Sequence, residues 1–225
     1  NIAALKGAKR TVFTAMLQKS WQGQEAVVTL QRIRHRNTTK TDTDMAINLK
    51  KGFSFDLDKL AHVTVELGWT PNASPGEEFD LDASAFMLGA NGRIPGDKFF
   101  VFYNNQTSPD GAVMSDGDDL TGDDGEQVHV DLARVNPNVQ EILFTVTIYE
   151  AASRHQNFGQ ISSAYIKIRN TDTGNVLARY DLNEDFSTET AVEFARLYRE
   201  NGVWKFQALG NGRNGGLEAL VAKYA

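Results

Sequence analysis

The residues best equipped for chemistry in this chain are carboxylates crowded into one stretch. Between Lys98 and Arg134 there is no lysine or arginine, whereas Asp110, Asp116, Asp118, Asp119, Asp123, Asp124 and Glu126 all fall there, interleaved with Gly111, Gly117, Gly122 and Gly125. In a compact loop several of these carboxylates would approach within a few ångströms, where each raises its neighbours' pKa or recruits a cation. The glycines suit the second outcome, because a loop wrapping an ion turns sharply and presents backbone carbonyls. Upstream, the run from Phe79 to Phe86 alternates, so that on a strand Asp80, Asp82 and Ser84 share one face and Phe79, Leu81, Ala83 and Ala85 the other. Asn104 and Asn105 end the hydrophobic run Phe99 to Tyr103 and add neutral amide oxygens. Hard oxygen donors of this kind suit Ca²⁺, with six to eight oxygens at roughly 2.3–2.6 Å, better than Zn²⁺ or Cu²⁺. The spacing is not that of an EF-hand: Leu120, Thr121 and Gln127 stand where a ligand, the turn glycine and the bidentate glutamate belong. Composition by itself leaves two readings open in equal measure, a metal site and a solvated acidic loop.

Other chemistries find less support. With no cysteine, disulfides, thiolate catalysis and zinc-thiolate sites are excluded. Of the four histidines, His62 and His129 lie in strand-like runs and read as satisfied structural residues, while His155 stands beside Arg154 where a ligand contact is conceivable. Gly210-Asn-Gly-Arg-Asn-Gly215 fits G-x-G-x-x-G, but only ten residues follow, too few for a returning strand and an acidic residue some twenty positions on, so it reads as a turn and cap. The alternative activity is a metal-dependent hydrolase using the same carboxylates, although no nucleophile or base stands at a telling spacing.

Short alternating or β-branched runs must position these residues: Ile47 to Leu57, His62 to Trp69, Phe79 to Leu88, Phe99 to Tyr103, Gln127 to Leu132, Ile142 to Tyr149, Ala164 to Arg169, Val176 to Leu182 and Val203 to Leu209. Their spacing and the Gly/Pro/Asn/Asp turns between them predict a mostly β protein, a β-sandwich of two antiparallel or mixed sheets. One amphipathic helix is expected near the C-terminus, capped at Ser187 or Thr188 and stopped at Asn201-Gly202, because Ala191, Phe194, Ala195 and Tyr198 recur at i, i+3, i+4 and i+7. A second short helix is expected over Gly216 to Tyr224, and a third near Thr11 to Trp21; the three tryptophans read as core anchors.

The chain divides at Met45. Residues 1–44 carry eight basic against three acidic residues, and 45–225 carry fifteen against twenty-six. The first segment reads as a basic, partly disordered extension able to meet nucleic acid or anionic lipid, or to fold against the acidic domain that follows. No apolar run approaches the roughly 20 residues needed to span a bilayer, and no signal-peptide pattern stands at residue 1.

Several blocks occur in an order that resembles the TerD family of tellurite-resistance and stress proteins: Gly68-Trp69, Phe79 to Phe86, Phe100-Val-Phe-Tyr-Asn-Asn105, Ser108-Pro-Asp-Gly111, Gly117-Asp-Asp-Leu-Thr-Gly122, Asn157-Phe-Gly-Gln160, Ala178-Arg-Tyr-Asp-Leu182, Ser187-Thr-Glu-Thr-Ala191, Trp204-Lys-Phe206 and Gly215-Gly-Leu217. The resemblance spans about residues 45–225. It implies a β-sandwich that binds one or two Ca²⁺ ions through clustered acidic residues and acts as a calcium-dependent binding or scaffold module in tellurite and general stress resistance. By position, Asp80, Asp82, Asn104, Asn105, Asp110, Asp116, Asp118 and Glu126 match the blocks from which ligands would be drawn. It further implies a cytoplasmic protein working with other stress-resistance proteins, a membrane-associated complex at the inner membrane among them. The basic extension and the short Asp123-Asp124-Gly125-Glu126 run depart from the family pattern, and the second departure bears on the number of ion sites.

Overall fold

The computed structural model describes residues 46–71, 79–117, 125–184 and 186–225. The expected helix at Thr11 to Trp21, the basic extension and Trp21 lie outside these residues.

Twelve strands are present among the described residues: β1 (Ile47–Asn48), β2 (Ser54–Asp56), β3 (His62–Pro71), β4 (Leu81–Gly89), β5 (Phe100–Val101), β6 (Val113–Ser115), β7 (Glu126–Asp131), β8 (Val139–Ile148), β9 (Ile161–Asn170), β10 (Val176–Asp181), β11 (Ala191–Glu200) and β12 (Val203–Arg213). Two helices accompany them, α1 (Ala151–Arg154) and α2 (Leu217–Tyr224). The strands form two six-stranded sheets. Sheet one runs β1-β10-β9-β3-β7-β6 and sheet two runs β2-β12-β11-β8-β4-β5. Every pairing is antiparallel except β1 with β10, so the sandwich is mixed, as the alternating runs predict. Among the described residues no helix is long and apolar enough to cross a membrane.

Alternation along each strand sends one set of side chains between the sheets. Val63, Val65 and Leu67 of β3, Val128 and Val130 of β7, Ile166 and Ile168 of β9, and Phe144 and Val146 of β8 meet there, with Trp69 and Trp204 at the margins. Sheet two is covered on its other face as well. There α2 lays Leu217, Leu220, Val221 and Tyr224 over Phe86, Leu88, Phe100, Phe102 and Leu143. Phe86, Phe100 and Phe102 stack beneath it at centroid distances of 4.3 and 4.4 Å. This two-sided burial explains why β4 is apolar at almost every position rather than at every second one.

The short helix expected over Gly216 to Tyr224 is α2, but the amphipathic helix expected from Ser187 or Thr188 to Asn201 is instead a strand over Ala191–Glu200. β11 pairs with β8 and β12, and its register slips between Glu193 and Ala195. That bulge puts Phe194 and Ala195 in succession on the core side. Ala191 meanwhile packs on the opposite face under α2, so apolar residues recur at helix-like spacing without a helix. Asn201 and Gly202, both at positive φ (51° and 81°), form the two-residue turn of the β11–β12 hairpin rather than a helix end. The strand β6 stands in the acidic stretch, where the polarity of its neighbours masks it.

Candidate functional site

Four of the expected ligands, Asp80, Asp82, Asp116 and Glu126, lie where β4 and β7 begin and β6 ends. β4 carries Asp82, whose flanking residues Leu81 and Ala83 face the inter-sheet core, so that the Asp82 side chain lies on the other face, 2% exposed. Asp80 stands just before β4, its carbonyl accepting a hydrogen bond from Tyr149 N at 2.8 Å. β5 is only two residues long and pairs with Ala85 and Phe86 alone, which leaves the edge of β4 before Ala85 without a partner strand among the described residues. Glu126, the first residue of β7 in the opposite sheet, fills this gap. Its Oε2 accepts the Ala83 N–H at 2.6 Å, so a carboxylate 4% exposed spans the two sheets and sits against the peptide that joins Asp82 to Ala83.

Gly125 makes this reach possible. Its φ is +69°, and a β-carbon there would overlap the Leu67 carbonyl across the β3–β7 pair. Asp116 is tied to the same end through its N–H, which donates to the Gln127 carbonyl at 3.1 Å. Its side chain, however, points away from the core. Both carboxylate oxygens lie 3.0 Å from His129 Nε2. His129 Nδ1 is in turn 3.1 Å from Thr64 Oγ1.

Asp110 is placed elsewhere. Residues 106–108 pair back on 113–115, with Ser115 N donating to Gln106 O and Ser108 N to Val113 O, each at 2.9 Å. Asp110 lies in the closed end of this hairpin and Asp116 beyond its open end, three or more residues or roughly 10 Å apart along the strand. The Asp110 carboxylate braces the loop. Oδ1 accepts from Ser108 Oγ at 2.6 Å and Ala112 N at 3.0 Å, and Oδ2 accepts from Asn136 N at 2.8 Å. Burial works to raise its pKa, but the bonds from Ser108, Asn136 and Ala112 together outweigh it and hold the group below the ordinary carboxylate value.

Asn104 is exposed at the tip of the tight turn from Phe102 to Asn105. The Asn105 amide nitrogen donates to the carbonyls of Phe100 at 2.7 Å and Lys98 at 3.1 Å, which leaves its Oδ1 as the ligand-capable atom. Asp118 lies outside the described residues. The structure thus brings Asp80, Asp82 and Glu126 to one end, sets Asp116 on the adjoining outer face with His129, and separates Asp110 from them. As the side chains stand, no group of three or more His, Asp or Glu among the described residues is arranged to hold a metal ion.

The histidines behave as structural partners. His62 Nδ1 lies 2.9 Å from Asp172 Oδ1, and His129 is held as above. His155 closes α1 at φ 54° and is exposed. What sequence reasoning missed is the pairing of His129 with Asp116. Thirteen residues separate them, and only the β6–β7 register brings them together. Gly210 to Gly215 contains the end of β12 and the approach to α2, whose entry Thr190 Oγ1 secures by accepting Gly215 N at 3.2 Å and Gly216 N at 3.1 Å.

Comparison with known proteins gives a consistent picture. Residues 45–224 match the TerD domain. Tellurium resistance protein TerD of Serratia marcescens is 48% identical over 187 residues, covering 80% of this chain and 97% of that protein. General stress protein 16U of Bacillus subtilis (strain 168) is 46% identical over 188 residues, with coverage of 80% and 97%. Among solved structures, a homologue of telluride resistance protein (TerD) from Streptomyces coelicolor A3(2) superposes with a TM-score of 0.58 at 22% identity, covering 70% of this chain and 92% of that one, a likeness of fold.

Proposed function

This chain belongs to the TerD family of tellurium-resistance and stress proteins, and from that premise we propose that it is a calcium-binding scaffold module whose ion orders the acidic end of the sandwich. The observation that carries this reading is the placing of two buried carboxylates, Asp82 and Glu126, at the entry of β4 and β7 beside a stretch without lysine or arginine. Glu126, 4% exposed, accepts the N–H of Ala83 beside Asp82, which is 2% exposed, and Glu126 ends a run, residues 110–126, with seven carboxylates and no lysine or arginine. A hard divalent cation supplies two positive charges to carboxylate and amide oxygens of this kind. Asp80, Asp82 and Glu126 are the described residues that would hold such an ion, Asp116 and Asn105 Oδ1 would contribute to a second, and Asp110 is a brace for its loop. Bound, the ion would fix the entry of β4 against β7 and so present a defined surface to protein partners in a stress-resistance assembly. Its setting in this reading is the cytoplasm, with contact to the inner membrane made through those partners.

The experiment is a titration of chelator-treated protein with Ca²⁺, and separately Mg²⁺, in about 0.15 M salt so that diffuse cation association is screened. Saturable calcium heat is expected, with a rise in melting temperature that follows RT ln(1 + [L]/Kd). Glu126→Gln should weaken that heat strongly and Asp110→Asn should not. Identical melting in calcium and in chelator would sink the proposal.

A further inference from the structure

The glycines from Gly210 to Gly215 lead into the connection that carries α2. Only three residues, Asn214 to Gly216, join β12 to that helix. Gly215 stands at φ 103° and Gly216 at φ 61°, ψ −164°, a region of backbone space that essentially glycine alone occupies. Glycine enters the extended region as readily, so two consecutive glycines make this junction a hinge. Beyond it, α2 presents a single stripe, Leu217, Leu220, Val221 and Tyr224 at i, i+3, i+4 and i+7, every member buried. Its eight residues fall short of the roughly 12–15 that an isolated helix needs in water, so α2 is a helix only when seated on a groove. The floor of that groove, Phe86, Leu88, Phe100, Phe102 and Leu143, forms a cluster separate from the inter-sheet core. The sandwich therefore keeps its own core whichever helix covers the groove.

We infer that this groove is a self-recognition site: two copies of the chain exchange α2, each helix seating in the groove of the other. Two features commit the groove to that occupant. An apolar floor of this kind does not stay open to water, so a helix that leaves must be replaced. The polar contacts at its rim then select the replacement. Glu193, 3% exposed, accepts at Oε1 from Lys223 Nζ at 3.2 Å and from the Tyr224 hydroxyl at 3.0 Å, and the Tyr224 carbonyl accepts Ile94 N at 2.7 Å. A helix without the Lys223-Tyr224 pair would leave this buried carboxylate with Arg213 as its remaining partner, and Arg213 stays behind in β12. The α2 of a second copy restores every one of these contacts. Exchange thus conserves the energy of the seated helix, and the hinge conformation and the chain concentration set the balance between one copy and two. The resulting interface is isologous, each copy giving and receiving the same helix, and Asn214 to Gly216, extended, span up to about 10 Å between the two grooves.

The test combines light scattering on the full chain, up to about 1 mM, the effective concentration that a short linker gives its own helix, with disulfide trapping. The chain has no cysteine, so single cysteines report cleanly. Ile94 and the end of α2 meet, with Arg93 Nη1 donating to Ala225 O at 2.5 Å beside the Ile94–Tyr224 bond. A copy carrying Ile94→Cys mixed with a copy carrying Ala225→Cys should therefore yield a disulfide between the two chains. Gly216→Ala opposes the closed hinge, because alanine does not tolerate its φ and ψ, and should raise the dimer association constant by roughly tenfold or more. Lengthening the hinge by four Gly/Ser residues after Asn214 eases the return of α2 to its own groove and should lower that constant. Should Gly216→Ala fold poorly, the lengthened hinge decides. A parent chain that stays monomeric at about 1 mM, a dimer without the Ile94–Ala225 disulfide between chains, or a dimer share that hinge length does not move overturns the exchange.

Discussion

Replacing Asp110 with asparagine separates a loop brace from an ion ligand. The carboxylate accepts two backbone N–H groups, from Ala112 and Asn136, and one hydroxyl, from Ser108. Asparagine keeps one acceptor oxygen and converts the other position to a donor. With the amide nitrogen at Oδ2 it confronts Asn136 N–H; at Oδ1 it confronts Ala112 N–H, although the Ser108 hydroxyl can turn to accept. One backbone donor loses its acceptor in either orientation, and the remaining bonds lose their charge assistance. For a partly buried group this amounts to about 2 kcal/mol at neutral pH. For a chain of this size it lowers Tm by roughly 4–8 °C. The loss has a pH signature. A carboxyl whose folded pKa lies below the ordinary 3.8 stabilises the fold above that value, and the contribution disappears as pH falls through the folded pKa. The gap between the parent and Asp110→Asn should therefore be full near pH 7 and close below about pH 4. Thermal melts of both proteins from pH 7 to pH 3, with calcium and with chelator, measure it. A gap that stays constant down to pH 3, or a variant that has lost its calcium response, would refute the assignment of Asp110 as a brace.

Gly125→Ala should cost at least about 3 kcal/mol, because positive φ and overlap with the Leu67 carbonyl both oppose a β-carbon; chemical denaturation would show it, and a variant as stable as the parent would contradict the packing. Glu193→Gln should destabilise by about 2–4 kcal/mol, since this buried carboxylate accepts from Arg213, Lys223 and Tyr224 and fastens α2 to sheet two; the loss should appear as early protease cleavage at α2. Phe194→Ala, in the bulge of β11, should cost about 3–5 kcal/mol by urea unfolding, whereas an exposed position on a helix would lose far less. Gly68→Ala should displace the Tyr165 ring that lies across it and break the ring's stacking with Arg179, 3.8 Å from its centroid, a cost of about 1–3 kcal/mol readable in the tyrosine near-ultraviolet signal.

The sequence by itself determined the fold class and most of its strands, because alternation of apolar residues reports one-sided burial directly and β7, β9, β10 and β12 follow it closely. It also determined that seven carboxylates share a stretch without cations. The tertiary structure decided the rest wherever position depends on a partner distant in the chain. Residues 191–200 carry a helix-like spacing that only the bulge against β8 and the cover of α2 resolve into a strand. Asp110 and Asp116 look equivalent in sequence, yet the hairpin between them sends one into three bonds within its loop and the other to His129. Glu126 and Asp82 are 44 positions apart and become neighbours because β5 stops after two residues and leaves an N–H that a carboxylate from the other sheet can reach. Local pattern encodes which face of a strand is buried; strand order and register, set by contacts remote in sequence, fix which carboxylates meet.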